Sequence, residues 1–179
     1  MERIIRDLQK DLRNIIEGGK PRVLREKTKD LVDLRVLRMI DFSLQWASAG
    51  YKSALRFAGM KFGRRLGEMS SSRELSSVLE EIKKIVEELK EGEVKFEVSE
   101  KKNIAQFKVY NSSLTNSVPN ISQNLCFFRE GFIEGYLGGI IAVRSSLLVF
   151  FKNINRVEVK ETKCQGKGDK FCQFTIILE

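Results

Sequence analysis

The stretch "GFIEGYLGG", residues 131–139, places Gly131, Gly135 and either Gly138 or Gly139 on nearly one face of a helix. Each glycine costs a helix interior about 1 kcal/mol relative to alanine. Keeping several of them implies that something comes closer to this backbone than a Cβ would permit. A neighbouring helix, a sheet or a ligand could do so, and packing is the simplest of the three. The run is neither a G-x-G-x-x-G fingerprint nor a P-loop, and it does not follow a strand. "GKGDKF", nearer the C-terminus, lacks the Lys-Ser/Thr pair of a phosphate loop, so no nucleotide site is expected.

Around this helix the chain reads as helices, hairpin, helix, hairpin. Ile4, Ile5, Leu8, Leu12, Ile15 and Ile16 recur at helical spacing, and Gly18-Gly19 and Pro21 end that helix. Residues 1–19 are therefore set apart as an N-terminal helix and a candidate element for homodimerisation, with residues 20–179 as the main domain. Residues 23–40 fit a helix or a short strand. A helical region runs from Asp41 to about Glu68, and Gly50 is a point where it can kink or divide. Ser71 and Glu74 have capping-box spacing ahead of Leu75, Val78, Leu79, Ile82, Val86 and Leu89, and Gly92 closes that helix.

"EVKFEV" alternates as a strand, with Val94, Phe96 and Val98 on one face, and "NIAQFKVY" returns as its hairpin partner. After a polar loop, a helix is expected from about Leu125 to Val143. A strand near "RVEVKET" and the strand "FCQFTIIL" follow. The order predicts an α+β fold, an antiparallel sheet with helices packed on it. The chain is 179 residues long, 42% hydrophobic and 31% charged, enough for a real core in one domain.

Net charge is +8, which permits an anionic partner. The charges are interleaved, however. Even the richest cluster, Lys52, Arg56, Lys61, Arg64 and Arg65 against Glu68, reads as a solvated helix face. No helix-turn-helix pattern, zinc-finger spacing or RNP motif accompanies it, so no nucleic-acid partner is expected. The most apolar run, "GFIEGYLGGIIAVRSSLLVFF", is interrupted by Glu134 and Arg144 and falls short of the ~20 apolar residues of a membrane span. There is no signal-peptide pattern, and a cytoplasmic location is expected.

The chain has three cysteines and no histidine, so no imidazole can serve as a base or a metal ligand. Cys164 and Cys172 flank "QGKGDKF". If the strands pair symmetrically about Gly168, the two cysteines face each other with Cβ atoms about 4.5–5.5 Å apart. They could share a metal, form a disulfide that the cytosol disfavours, or simply be buried thiols. Cys126 is the remaining soft donor and Glu161 a nearby oxygen. Residues 161 and 164 point to opposite faces of a regular strand, so Glu161 joins Cys164 only if the strand ends or bulges between them.

"CFFREGFIEGYLGG" followed by "VEVKETKCQGKGDKFCQFTI" resembles the C-terminal half of the 4-vinyl reductase domain, also called the hydrocarbon-binding domain. The resemblance is specific over residues 125–178. It is general over 35–110, where "ALRFAGMKFGRRLGE" is similar to the family's small-residue helix. The same domain forms the sensory part of phenol-responsive transcription activators and shares its fold with transport subunits of the TRAPP complex. The resemblance implies one structural zinc held by Cys126, Glu161, Cys164 and Cys172. Between Cys126 and Glu161 this chain departs from the pattern, with "RSSLLVFFKNIN" as an insertion. The sensors' pocket histidine has no counterpart here, so phenol specificity does not transfer.

The expected function is a module binding an apolar, aromatic or acyl small molecule. Trp46, Phe57, Phe132 and Tyr136 are its candidate lining, with Tyr136 the one polar contact on its helix. A regulatory partner protein would carry any output. The alternatives are an enzyme related to a tetrapyrrole vinyl reductase, for which no nicotinamide or flavin motif is present, and a lipid-carrying assembly protein.

Overall fold

The computed structural model describes residues 50–72, 74–99, 103–115, 120–144 and 154–179. Within them the order is α1 (Tyr51–Met69), α2 (Leu75–Glu88), β1 (Glu93–Ser99), β2 (Ile104–Tyr110), α3 (Phe127–Arg144), β3 (Val157–Lys163) and β4 (Cys172–Leu178). The helix expected over 2–17, the ambiguous stretch 23–40, Trp46 and most of the expected insertion, residues 145–153, lie outside the described residues. The four strands form one antiparallel sheet in the order β1-β2-β4-β3. The expected α+β class is the observed one.

Alternation decides which face of the sheet meets the helices. Val94 lies opposite Val109, Phe96 opposite Phe107, and Phe107 opposite Phe174, and Ala105 pairs with Ile176. Ala105, Phe107, Val109, Phe174 and Ile176 are fully or almost fully buried. Helix α2 lays Leu75, Val78, Leu79, Ile82 and Val86 into the same core, as its period demands. Helix α3 adds Ile133, Leu137 and Ile140. Ile104 falls on the other face and is half-buried, because Ala105 takes the inward register.

The glycines of α3 meet a matching row on α1. A Cβ on Gly131, Gly135 or Gly139 would lie 2.0–2.3 Å from the carbonyl oxygens of Arg56, Met60 and Arg64. A Cβ on Gly59, Gly63 or Gly67 would lie 2.0–2.1 Å from those of Phe128, Phe132 and Tyr136. The two helices therefore touch backbone to backbone along three turns. Among the described residues a Cβ on Gly138 would have nothing within 4 Å, so Gly139 completes the row.

The capping box expected at Ser71 and Glu74 does not form. Glu74 itself is the N-cap of α2, in extended conformation and without a side-chain cap bond. The hydroxyls of the neighbouring serines go elsewhere: Ser70 and Ser72 both donate to the Glu81 carboxylate, one and a half turns into α2. Tyr136 Oη donates to the same carboxylate at 2.8 Å. Ser70 Oγ also accepts the Ser72 amide at 3.1 Å, so this hydroxyl satisfies a backbone donor and the Glu81 carboxylate together.

Among the described residues strand β3 lies at an edge of the sheet, and α3 takes two of its amides. Glu161 N–H donates to Glu130 Oε2 at 2.9 Å and Val159 N–H to Glu134 Oε2 at 3.3 Å. One helical turn and two strand residues span nearly the same length, which lets the two rows match. Arg56 of α1 pairs with both carboxylates. Burial raises the Glu134 pKa, and Arg56 opposes that shift. Removing the cation raises it further, so the cost of an ionised Glu134 should appear as pH rises and fade on acidification. Arg56→Met should cost about 1–2 kcal/mol near neutral pH, the worth of a charged hydrogen bond at a partly exposed site. Denaturant titrations of both proteins near pH 7 and near pH 5 should show the gap closing at the lower pH.

Candidate metal centre

Three elements bring four acidic side chains together. Cys126 is the residue before α3, where its carbonyl accepts the Glu130 amide at 2.9 Å. Its sulfur therefore sits at the positive end of the helix, which favours a thiolate. Loop 120–125 carries it to the terminal hairpin. Ile121 N–H donates to the Gly166 carbonyl at 2.9 Å, and a Cβ on Gly166 would strike Leu125 and the Gln123 carbonyl.

The hairpin holds the other three. Cys164 opens a single 3₁₀ turn over Gln165–Lys167, closed by Gly168 at φ 89°. The Cys164 amide donates to Asp169 Oδ2 at 2.9 Å, fixing the turn. Lys163 pairs with Gln173, symmetrically about Gly168, and the register shifts between Glu161 and Lys163. Thr162 is the extra residue, its hydroxyl donating to the Gln173 carbonyl at 3.3 Å. This bulge resolves the conflict raised by strand alternation, because it returns Glu161 and Cys164 to one face, the face of Cys172.

All four residues are buried, and one donor atom from each lies within 4.8 Å of every other. Cys126 Sγ donates to Cys172 Sγ at 3.5 Å. A tetrahedral zinc with Zn–S bonds of ~2.3 Å sets neighbouring sulfurs about 3.8 Å apart, close to this spacing. Glu161 Oε2 accepts the Cys126 amide at 3.2 Å, while Glu161 Oε1 is buried with no hydrogen-bond partner among the described residues. A buried carboxylate oxygen without a donor is costly unless a cation meets it.

The electrostatics agree. Hydrogen bonds to Cys164 and Cys172, together with burial, hold the Cys126 thiol well above its ordinary pKa. Hydrogen bonds from Cys126 and Cys164, then Thr115 and the Gln165 amide, draw Cys172 well below it against the effect of burial. Burial first, and the Cys172 charge second, push Glu161 up to about 7. Four acids packed this closely oppose one another's ionisation, and a divalent cation removes the conflict. The donor set of three sulfurs and one oxygen fits zinc, and the positions are the four expected from the sequence.

Of the expected pocket residues, the structure brings Phe132 and Tyr136 together, with ring centroids 6.0 Å apart and both side chains buried. Phe62 of α1 joins them, 5.9 Å from Phe132. Phe57 does not. It stands two residues from Gly59, about 200° around α1 from the face that meets α3. It is 55% exposed, under the Lys61 ammonium.

Four contributors escaped the sequence reading. Arg129 approaches Cys126 Sγ at 3.8 Å, Glu91 holds Arg129, Thr115 Oγ1 lies 3.4 Å from Cys172 Sγ, and Glu130 clamps the Glu161 amide. Arg129 and Glu130 stand out in the sequence only as two adjacent charges in the first turn of the helix, with nothing to say what either one meets.

No protein-family model matches the chain. An uncharacterized protein of Methanocaldococcus jannaschii is 29% identical over 182 residues, covering 99% of this chain and 92% of that protein. Among solved structures, the phenol-responsive sensory domain of the transcription activator PoxR, with phenol, has a TM-score of 0.59 at 14% identity, covering 94% of this chain and 89% of that one. Trafficking protein particle complex subunit 3 from Naegleria fowleri, covalently bound to palmitic acid, has a TM-score of 0.58 at 22% identity, covering 82% and 95%. A vinyl-4-reductase family protein from Methanocaldococcus jannaschii has a TM-score of 0.50 at 19% identity, covering 98% and 95%. The chain has the α+β fold that these three proteins share. Among the described residues, no helix is long and apolar enough to cross a membrane.

Proposed function

We propose that the chain is a small-molecule-binding module of the 4-vinyl reductase, or hydrocarbon-binding, type, taking an apolar aromatic or acyl ligand and stabilised by one structural zinc. The observation that carries the reading is the buried cluster of Cys126, Glu161, Cys164 and Cys172 with its unpartnered Glu161 oxygen. The fold supports the ligand class, since solved proteins of this fold hold phenol and palmitic acid. With four protein donors, zinc would tie the hairpin to the start of α3 and keep no open position for a reactant. Homodimerisation through residues 1–19 belongs to the same proposal, and light scattering of the chain with and without them tests it.

Elemental analysis of reduced, untagged protein should find one zinc per chain. Absence of metal, with the chain folded, would refute the metal half. Trp46 fluorescence should respond to apolar aromatic compounds or fatty acids. Silence across a diverse apolar library would count against the ligand half.

The geometry sharpens one part of this. The Tyr136 hydroxyl is already engaged by Glu81, so a hydroxylated ligand would have to share that pair. Tyr136→Phe should weaken hydroxylated ligands more than pure hydrocarbons. Equal weakening of both would remove Tyr136 as a polar contact.

A further inference from the structure

Arg129 is an unusual choice for its place. It stands third in α3, where the helix end already carries positive character and a cation is disfavoured. Its side chain is 1% exposed, and a buried cation persists only when well paired. Nε and Nη2 donate to Glu91 Oε2 at 3.1 and 2.8 Å, and Nη2 also reaches the Glu91 carbonyl at 3.4 Å. The remaining edge turns towards the cysteines, with Nη1 3.3 Å from Ser112 Oγ and 3.8 Å from Cys126 Sγ. Glu91 alone would neutralise this cation, so the edge facing Cys126 calls for a further account.

We propose that Arg129 is the counter-cation of the metal centre, a positioning residue that holds Cys126 as a metal-bound thiolate and thereby sets metal affinity. The inference rests on the metal half of the proposed function. Three thiolates, one carboxylate and a divalent metal leave a net charge of −2 in a buried site, and the guanidinium beside Cys126 halves it. Outer partners of metal ligands carry effects of this kind, and their loss typically costs about 10–100-fold in affinity. Glu91 orients the guanidinium but adds a negative charge of its own on the far side.

The charge role and a merely structural role predict different signs for two variants of one ion pair. Zinc affinity is measured on the full-length chain by competition with a chromophoric chelator. Cobalt(II) then replaces zinc to report the thiolate-to-metal charge-transfer band. Arg129→Met should weaken zinc about 10–100-fold and shift that band, and Arg129→Lys should recover most of both. Glu91→Gln breaks the same pair yet should not weaken zinc, because it removes negative charge near an already negative site. Equal weakening by Arg129→Met and Glu91→Gln would overturn the proposal, as would wild-type affinity in Arg129→Met. If Arg129→Met does not fold, the lysine and Glu91→Gln variants still decide: weakening by Glu91→Gln overturns it. A wild-type chain that binds neither zinc nor cobalt would instead refute the metal reading itself, a result visible before any variant is made.

Discussion

Gly135→Ala is expected to lower stability by about 3 kcal/mol or more, whereas Gly138→Ala, three residues along the same helix, should raise it by about 1 kcal/mol. The new Cβ at position 135 would sit 2.1 Å from the Met60 carbonyl oxygen, a backbone atom that no rotamer change can move. Relief requires the two helices to part, and parting loosens contacts along three turns at once. At position 138 the methyl meets nothing among the described residues, so only the helix-propensity gain remains. For a chain of this size each kcal/mol moves the thermal midpoint by roughly 2–4 °C, so the two variants should differ by about 8 °C or more. Thermal unfolding of both decides the matter. A Gly135→Ala midpoint at or above wild type would mean that the α1–α3 contact is not as close as described.

Metal removal should have the second large effect. A metal present at a thousand times its dissociation constant adds about 4 kcal/mol to stability, and tight structural sites add more. Chelation should therefore lower the thermal midpoint by at least about 8 °C, and re-addition of zinc should restore it. Cys172→Ser should be low from the start and indifferent to the chelator. Glu161→Gln should fall between, because the amide keeps an oxygen donor and loses only its charge. A metal-bearing protein whose midpoint ignores the chelator would show that the cluster does not hold the fold together.

How much of this was legible depends on whether the interaction is local. Helix α2 follows from its own period, and β1 and β2 from their alternation, because one buried face is enough to dictate either pattern. Hairpin symmetry about the turn placed only Cys164 opposite Cys172; the full set with Cys126 and Glu161 came from the resemblance to the hydrocarbon-binding domain, and the Glu161–Cys164 spacing posed a conflict that a bulge removes. The failures are competitive or distant. Ser71 and Glu74 have the spacing of a cap, yet the hydroxyls beside them belong to Glu81. Nothing near Gly138 or Gly139 in sequence says which one faces α1. Arg129 and Glu91 are separated by 38 residues, and the carboxylates that seal β3 come from a helix that precedes it. Such pairings are set by how elements dock, and no period within one element records them.

The bulge at Thr162 gives the hairpin a rule of counting. Faces of a strand are assigned by parity, and Glu161 to Cys164 is three steps, an odd number. The ladder treats Thr162 as surplus, so the effective count is even and the two donors share a side. Deleting Thr162 would leave the count even and keep Glu161, Cys164 and Cys172 together at the cost of some twist. Inserting one residue beside it would make four steps: with the single bulge kept, Cys164 turns to the opposite face, and with the bulge straightened it slips two residues out of register with Cys172. Natural variation in this segment should therefore be lopsided, tolerant of a loss and intolerant of a gain.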